Sequence, residues 1–583
     1  MRRFLAMLCL AVGACEGPPA GEVADASADD LALGAPADAA ARQHGQPHGG
    51  LLRVTAVDDE SGQLLPARVL IARSTDGGAG TDGGAGPVDV HFDIDSHGHS
   101  ANGAYGVGLA PGVIGAPEGV MLVSGDGSFR VPPGRYTVSI YHGPEWERDV
   151  QNVKITPDAN ATITASLRHT VDTRGWMAAD LHVHTARSFD SSIQLEDRVV
   201  TEVSSGVEII VVTDHNVLSD LQPQVELFGY HDLARSITGD EFNFAEGHGG
   251  AYPMPYDASE PVGAMGGGGV GEWRISWPDV KDVHSTQVFD LMHSFPTRPV
   301  VTVNHPRLGG GLGYFENIGW QPPAPLPEAD RFDALEVLNG YMHDPASNAL
   351  LLRDWFFLLS SGVPTTALGS SDTHKLNDVK AGFPRSWLRM PTDAPADVLD
   401  SDVADAIKAH RAIASNGPFA LLVIDGAARI GDLVKNGTGR VRVDALVDAP
   451  DWIDVDTVRL WVNGKVAREA HVAPGQRPLF HETWMQAIPS GDGWIALQAS
   501  GSRPLPVALI GEHGRGAVVP FVITNPVFVD GDGDGRWAPV IAEPDPGPLQ
   551  PPMMGAPQWG PWQAPPQDCE PPLWADPRSW ARP

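Results

Sequence analysis

The sequence predicts an α/β centre flanked on both sides by antiparallel β-sandwich domains. Three observations carry this expectation. Short alternating apolar runs broken by Gly, Pro and Asp fill residues 51–170, strand-like and helical stretches take turns over 171–415, and alternation returns over 416–536. At 583 residues the chain exceeds what one hydrophobic core serves, so several domains are required.

The chain begins with Arg2 and Arg3, an apolar run from Phe4 to Val12 and small residues before Cys15, the pattern of a secretion signal over 1–14. Its end, "VGAC", resembles a bacterial lipoprotein cleavage box. That resemblance implies an exported chain anchored to a membrane of the cell envelope by a lipid on Cys15, on the periplasmic or outer surface. Residues 15–50, rich in Ala, Asp, Gly and Pro, are expected to form a disordered tether reaching on the order of 30 Å. With Cys9 removed and Cys15 lipidated, Cys569 alone remains, so no intramolecular disulfide is expected. A net charge of -33, from 40 basic and 73 acidic side chains, argues against nonspecific nucleic-acid binding.

The first β domain is read from "LLRVTAV", "PARVLIA", "GSFRVPPGRYTVSIY" and "ATITASL". Within it, "TDGGAGTDGGAG" and the stretch bearing His91, His97 and His99 are expected to be solvated loops. From Thr173 the pattern becomes β-α. Seven strands are expected near Met177 to Val183, Glu208 to Thr213, Ser236 to Asp240, Gly249 to Pro253, Pro299 to Val303, Ala334 to Leu338 and Thr365 to Leu368. Between the first two, Ser191 and Gln194 suit a capping box, Leu195, Val199 and Val203 recur at helical spacing, and Gly206 suits the helix end. The C-terminal β domain follows, with Asn463 and Gly464 as a hairpin turn. Its "DGDGDG" run is expected to be a polar turn, since Ile541 stands where a calcium loop needs Glu. Residues 537–583 form a Pro- and Trp-rich tail.

Chemistry concentrates at the strand ends. In "DLHVHT", His182 and His184 alternate on an extended run, so both imidazoles point to one side and can share an ion. Asp190 follows in "SFDSS", and "TDHN" places Asp214 and His215 after the second strand. "GDEF" supplies Glu241, "EGHGG" His248, "NHP" His305, and "GSSDTH" both Asp372 and His374. In a parallel barrel the carboxyl ends of the strands converge on one face, so these distant residues are expected to meet.

In this order the motifs resemble the PHP superfamily, named for its polymerase and histidinol phosphatase members, over about residues 173–420. "GPEWERDV", "RGWMAADLHVH" and "ASNGPF", with flanking β domains on a secreted chain, resemble the branch that includes carbaryl hydrolase. The resemblance implies a distorted seven-stranded (β/α) barrel and two or three divalent ions, Zn, Mn or Fe. It implies His182, His184, Glu241 and Asp372 on one ion, Glu241, His248 and His305 on a second, and Asp190, His215 and His374 on a third. Beside the motifs, Arg307 and Lys375 are candidate contacts to a substrate anion, and Asp214 is a candidate group of the active site that orients the ligands.

A bound divalent ion lowers the pKa of its water from about 15.7 toward roughly 7, so the expected chemistry is hydrolysis by a metal-bridging hydroxide. Three such ions among three carboxylates and one hydroxide leave a local formal charge of about +2, which favours a small anionic ester. Phosphoester hydrolysis is the first reading, and carbamate or carboxylic ester hydrolysis on the same ions is the alternative. A binding protein of the envelope, using the barrel as scaffold, is the reading outside enzymology. No G-x-S-x-G elbow supports a serine hydrolase. The sequence leaves the oligomeric state open.

Overall fold

The computed structural model describes residues 49–74, 113–116, 119–256, 280–376, 379–435, 439–473, 475–488, 490–511 and 517–539. The signal segment with Cys15, the tether before residue 49, His91, His97 and His99, and the tail after 539 lie outside the described residues. Among the described residues, no helix is long and apolar enough to cross a membrane.

Alternation produces the N-terminal sheets. Gly50–Asp58 buries Leu52, Val54 and Ala56 on one face and pairs antiparallel with Asp126–Val131. On its other side it runs parallel to Asn160–Leu167, a departure from the purely antiparallel expectation. The cause is connectivity: Asn160–Leu167 follows Asp149–Ile155, which belongs to the second sheet, and therefore enters the first sheet by crossing over. That second sheet is ordered Val113–Ala116, Gly119–Leu122, Ala67–Arg73, Gly134–Tyr141 and Asp149–Ile155. Leu52, Phe129, Tyr136 and Val138 belong to the core the two share.

The central strands are short and buried on both faces, as in "IIVV" of Ile209–Val212 and "VVTV" of Val300–Val303, the signature of covered parallel sheets. They fall into two sheets. In one, Arg235–Thr238, Ile209–Val212 and Trp176–Val183 run parallel, and Arg385–Arg389 joins antiparallel. In the other, Val300–Val303, Ala334–Asn339 and Thr366–Ser370 run parallel. The expected strand at Gly249 to Pro253 is instead Gly247–Tyr252, an antiparallel partner of both Val300–Val303 and Asp240–Phe244. Gly239 separates Arg235–Thr238 from Asp240–Phe244, so the strand expected at Ser236 to Asp240 ends at Thr238 and a second strand begins at Asp240.

Among the described residues, the ladders do not close into one ring. Isolated parallel bridges, Val183 to Thr373 and His215 to Glu241, link the two sheets at their seams. Both seams lie at site residues: Thr373 stands between Asp372 and His374, and the second bridge joins His215 to Glu241 directly. Backbones approach closely here, since a Cβ on Gly340 would stand 2.0 Å from the Ser371 carbonyl oxygen.

The helix expected after the first strand is Leu195–Val203, and Gly206 takes φ 69° beyond its end. The expected capping box is absent: Gln194 is the N-cap without a side-chain cap bond, and the Ser191 hydroxyl donates to the His374 carbonyl at 2.8 Å. Proximity to the loop of the last strand outcompetes the local cap. Helix Pro345–Ser360 is capped by Asp344, which accepts from the amides of Ala346 and Ser347. Its Phe356 packs 4.9 Å from the rings of Trp461 and Trp494.

Those tryptophans belong to a sheet that crosses the boundary expected at 415. Ala412–Ser415 pairs with Phe521–Thr524, and the ladder continues through Gly493–Ser500 and Thr457–Val462 to Lys465–His471. Asn463 and Gly464, at φ 52° and 73°, form the last turn. A four-stranded sheet containing Phe419–Ile424, Arg440–Asp448 and Phe480–Ala487 shares the core of this region. In "DGDGDG", the Asp530 carboxylate accepts from the amides of Gly533 and Gly535, a turn fastened by its own first aspartate.

Candidate metal centre

Of the nine ligand-type side chains chosen from the sequence, eight fall into three overlapping groups with room for an ion, and the ninth, His305, adjoins them through Glu241. His182, His184, Glu241 and Asp372 form one group, His184, Asp190, His215 and His374 another, and His215, Glu241 and His248 a third, with ligand atoms in each group within 4.8 Å of one another. Buried His, Asp and Glu clusters of this kind could hold metal ions.

Glu241 is the hub. Its Oε2 lies 3.0 Å from Nε2 of His182, 3.2 Å from that of His184 and 3.2 Å from that of His215. Its Oε1 lies 3.0 Å from His305 Nε2 and 3.2 Å from His248 Nδ1. Asp372 Oδ1 stands 3.3 Å from His182 Nε2 and 3.2 Å from His184 Nε2. Asp190 Oδ2 lies 3.1 Å from both His215 Nε2 and His374 Nε2.

Two groupings differ from the expected ligand sets. His184 also reaches the Asp190 group, and His215 takes the place beside Glu241 and His248 that had been given to His305. The reason is the His215 to Glu241 bridge, which draws the end of Ile209–Val212 against Asp240–Phe244.

The hydrogen-bond partners of the ring nitrogens assign the protons on the rings. His182 donates Nδ1–H to Glu336 Oε1 at 2.9 Å, and His374 donates Nδ1–H to the Asp372 carbonyl at 2.8 Å. His215 donates Nδ1–H to Asn243 Oδ1 at 2.8 Å. His184 Nδ1 lies 3.1 Å from the Ser188 hydroxyl oxygen, whose own proton goes to Asp190 Oδ1 at 2.8 Å. All four rings thus spend their Nδ1–H outward and turn an Nε2 lone pair toward carboxylate oxygens. Lone pairs meeting at 3.0–3.3 Å in a buried site require positive charge between them, from protons or from a cation. The donor set of imidazoles and carboxylates suits a divalent transition metal.

Electrostatics agree with this. Burial opposes charge on His182, yet Asp372, Glu241 and Glu336 push it well above its ordinary value. Burial likewise opposes charge on His215, which Glu241 and Asp190 raise to about 9. The carboxyls of Asp190, Glu241 and Asp372 are held below their usual range by the surrounding histidines against the cost of burial. His248 goes the other way, lowered to about 4 by burial that Glu241 only partly offsets.

Two of these residues sit in strained backbone. His305 takes φ 28° and Asp372 φ 55°, a region where non-glycine residues are rare and which clusters at functional sites.

The three residues proposed to act beside the ligands fare differently. Asp214 is buried, and its oxygens accept from the Thr185 amide at 2.6 Å, the Thr185 hydroxyl at 2.7 Å and Ser219 Oγ at 2.5 Å. It fastens the turn after His184, which is an orienting position. Arg307 is spent elsewhere: Nε pairs with Asp354 Oδ2 at 2.7 Å, Nη1 donates to the Trp320 carbonyl at 2.8 Å, and the guanidinium lies 5.4 Å from the rings of Phe315 and Trp320. Lys375 is exposed and lines a cavity with Arg68, Arg198 and Lys380 that none of the nine ligand-type residues borders. Among the described contacts, neither cation is paired with the nine ligand-type residues. Next to an "NHP" or "DTH" motif a cation looks available, but the aromatic floor and Asp354 capture Arg307, and the chain after His374 leads Lys375 away.

Sequence reasoning missed the supporting residues Glu336, Asn339, Asn243 and Ser188. Glu336 carried a signal, being the lone charge in the apolar run "ALEVLN". Phe189 was also missed: 75% exposed, it stacks at 4.8 Å on His215 beside the Asp190 group.

No protein-family model matches this chain, and no curated protein matches it. Among solved structures, an FMN-binding beta-glucuronidase from Facaelibacterium prausnitzii L2-6 aligns over 80% of this chain and 87% of its own, at 11% identity and a TM-score of 0.16. A likeness at that score supports no statement on fold or function.

Proposed function

We propose that this chain is a metal-dependent hydrolase acting on a small anionic ester, with phosphoester hydrolysis as its chemistry and carbamate or carboxylic ester hydrolysis as the alternative on the same residues. One observation supports it above the rest: four imidazoles turn Nε2 lone pairs onto the carboxylates of Asp190, Glu241 and Asp372 in a buried pocket. The order of the motifs, which resembles that of PHP proteins and their seven-stranded barrel, supports the same reading.

By this proposal His182, His184, Glu241 and Asp372 hold one ion, while Asp190, His215 and His374 hold another with His184 at its edge. Glu241, His248 and His305 complete a third position. Bound there, divalent ions such as Zn, Mn or Fe would acidify water and polarise a substrate oxygen. The protein's own part is to orient and to exclude. Asp214 steadies the turn carrying His184, Ser188 ties His184 to Asp190, and Asn243 fixes the His215 ring. Asp190, its side chain 31% exposed, and His374, at 12%, form the more open side, where substrate enters. Tyr341, whose hydroxyl lies 3.3 Å from His374 Nδ1, stands ready to hold a proton near the leaving group.

The test is elemental analysis of the purified chain together with a turnover screen. Aryl phosphomonoesters, phosphodiesters, carbamates and carboxylic esters are each assayed with added Zn or Mn. Two or three ions per chain with phosphoester turnover support the proposal, and turnover of the carbamates or carboxylic esters alone selects the alternative. A chain that takes up no metal, or turns over every ester equally after chelation, overturns both. An export signal with a lipid on Cys15 belongs to the same proposal and is tested by mass analysis of the mature N-terminus.

A further inference from the structure

We infer that Glu336 is a positioning residue of this centre: one buried carboxylate fixes the proton on His182, holds the backbone at His305 and, through Asn339, steadies Asp372. The inference rests on the metal-binding reading of the site and deepens it by naming what sets its affinity.

Glu336 is 2% exposed, in a strand whose six residues are all buried. A carboxylate there persists only if donors surround it. Three do. His182 Nδ1 lies 2.9 Å from Oε1, the His305 amide 2.8 Å from Oε2, and Asn339 Nδ2 2.9 Å from Oε2. The same Asn339 nitrogen stands 3.2 Å from Asp372 Oδ2.

Each contact serves a ligand of the cluster. The bond from His182 Nδ1–H leaves Nε2 with its lone pair facing Glu241 and Asp372, the only tautomer in which this ring can coordinate from that nitrogen. The bond from the His305 amide holds a residue at φ 28°, a conformation that surrounding structure must impose. Asn339 links the Ala334–Asn339 strand to Asp372, at φ 55°.

An amide in place of the carboxylate cannot satisfy this set. If its oxygen faces His182, its NH2 points at two other donors, the His305 amide and Asn339. If its NH2 faces His182, Nδ1 must accept, so Nε2 carries the proton and His182 is lost as a ligand. Glu336→Gln therefore preserves size and fails chemically in either orientation, whereas Glu336→Asp keeps the charge and retracts it by one methylene.

The experiment measures Zn and Mn affinity of the full chain by competition with a chromophoric chelator, alongside thermal melts of the metal-stripped proteins. Glu336→Gln is expected to bind about 10- to 100-fold more weakly, with Glu336→Asp between it and the parent. Glu208→Gln serves as control, because that half-buried carboxylate accepts from the Ala178 amide at 2.8 Å and has no part in the cluster. Its affinity should equal the parent's. Unchanged affinity in Glu336→Gln, or equal loss in Glu208→Gln, overturns the inference and leaves the hydrolase reading standing. A parent chain that binds no metal overturns both. If Glu336→Gln does not fold, Glu336→Asp decides alone, weakened binding supporting the role and parental affinity overturning it.

Discussion

Nε2 of His182 stands 3.0 Å from Nε2 of His184, and both rings have committed their other nitrogen to an outward partner. Two such atoms share a buried space with carboxylate oxygens only when positive charge lies among them. Metal removal is therefore predicted to destabilise the protein. At an ion concentration 100 times the dissociation constant, binding adds about 2.7 kcal/mol of stability. Thermal unfolding with excess chelator should begin at lower temperature than with added Zn or Mn, and re-addition should restore it. Identical melts under both conditions would contradict the proposed centre.

Glu241 reaches two of the three ligand groups, whereas Asp190 reaches one. Glu241→Gln should consequently lose at least one more equivalent of metal than Asp190→Asn. Elemental analysis of the two purified variants checks this directly. Equal losses would mean that Glu241 is not shared.

Asp214 accepts three hydrogen bonds and presents no oxygen to the histidine cluster. Asn at this position must turn its NH2 toward Thr185 or Ser219, leaving a buried amide or hydroxyl proton there without its acceptor. Asp214→Asn should lose about 1–3 kcal/mol of stability, the usual cost of an unsatisfied buried polar group. Metal content should stay at the parental value, since no ligand is removed. Denaturant titration and elemental analysis together read both, and full stability with lost metal would make Asp214 a ligand.

Much of the candidate site was legible because its ligand-type side chains are rare residue types placed at strand ends. His182 and His184 announce themselves by alternation, and Asp372 and His374 repeat the device. Pairing between strands was not legible. No local pattern says that Asp240–Phe244 and Gly247–Tyr252 form an antiparallel hairpin, or that Ala412–Ser415 hydrogen-bonds to Phe521–Thr524 more than a hundred residues away. Partner choice for cations was equally hidden. Arg307 follows a ligand motif in sequence, yet its charge is settled by Asp354 on the helix Pro345–Ser360, which only the fold brings near.

Away from the centre, His142 makes stability depend on pH. Its Nδ1 lies 2.6 Å from the Pro66 carbonyl, and burial lowers its pKa to about 4, with Glu145 partly offsetting and Arg385 and His169 adding to the effect. The unfolded ring titrates near its ordinary value of about 6.5. Between these values the unfolded chain binds a proton that the folded one does not, so stability is full above about pH 6.5 and falls as pH drops toward 4. The difference corresponds to about 3 kcal/mol. His142→Asn retains a donor for Pro66 and removes the titration. Its denaturant midpoint should change less than the parent's between pH 7 and 4, and parallel profiles would show that His142 takes up its proton equally in the folded and unfolded states.

Arg307 and Asp354 supply the last prediction, because they separate a substrate contact from a structural pair. The guanidinium is buried, 2.7 Å from Asp354 Oδ2, and lies against Phe315 and Trp320. Removing Arg307 leaves the buried Asp354 with Arg353, 3.1 Å from its Oδ1, and an Oδ2 without its donor, at a cost of about 1–3 kcal/mol. Arg307→Met should therefore lower stability by that amount. Asp354→Leu added to it should recover a large part, since the one charge then left, on Arg353, is partly exposed and keeps its bond to Gln321 Oε1 at 3.0 Å. Where protein stays folded, KM for an aryl phosphate should remain within about twofold of the parent, because the side chain is committed to the Pro345–Ser360 helix. A tenfold rise in KM with unchanged stability would place Arg307 on the substrate after all. The double substitution sharpens the distinction, for it rescues a packing fault and leaves a lost substrate contact uncorrected.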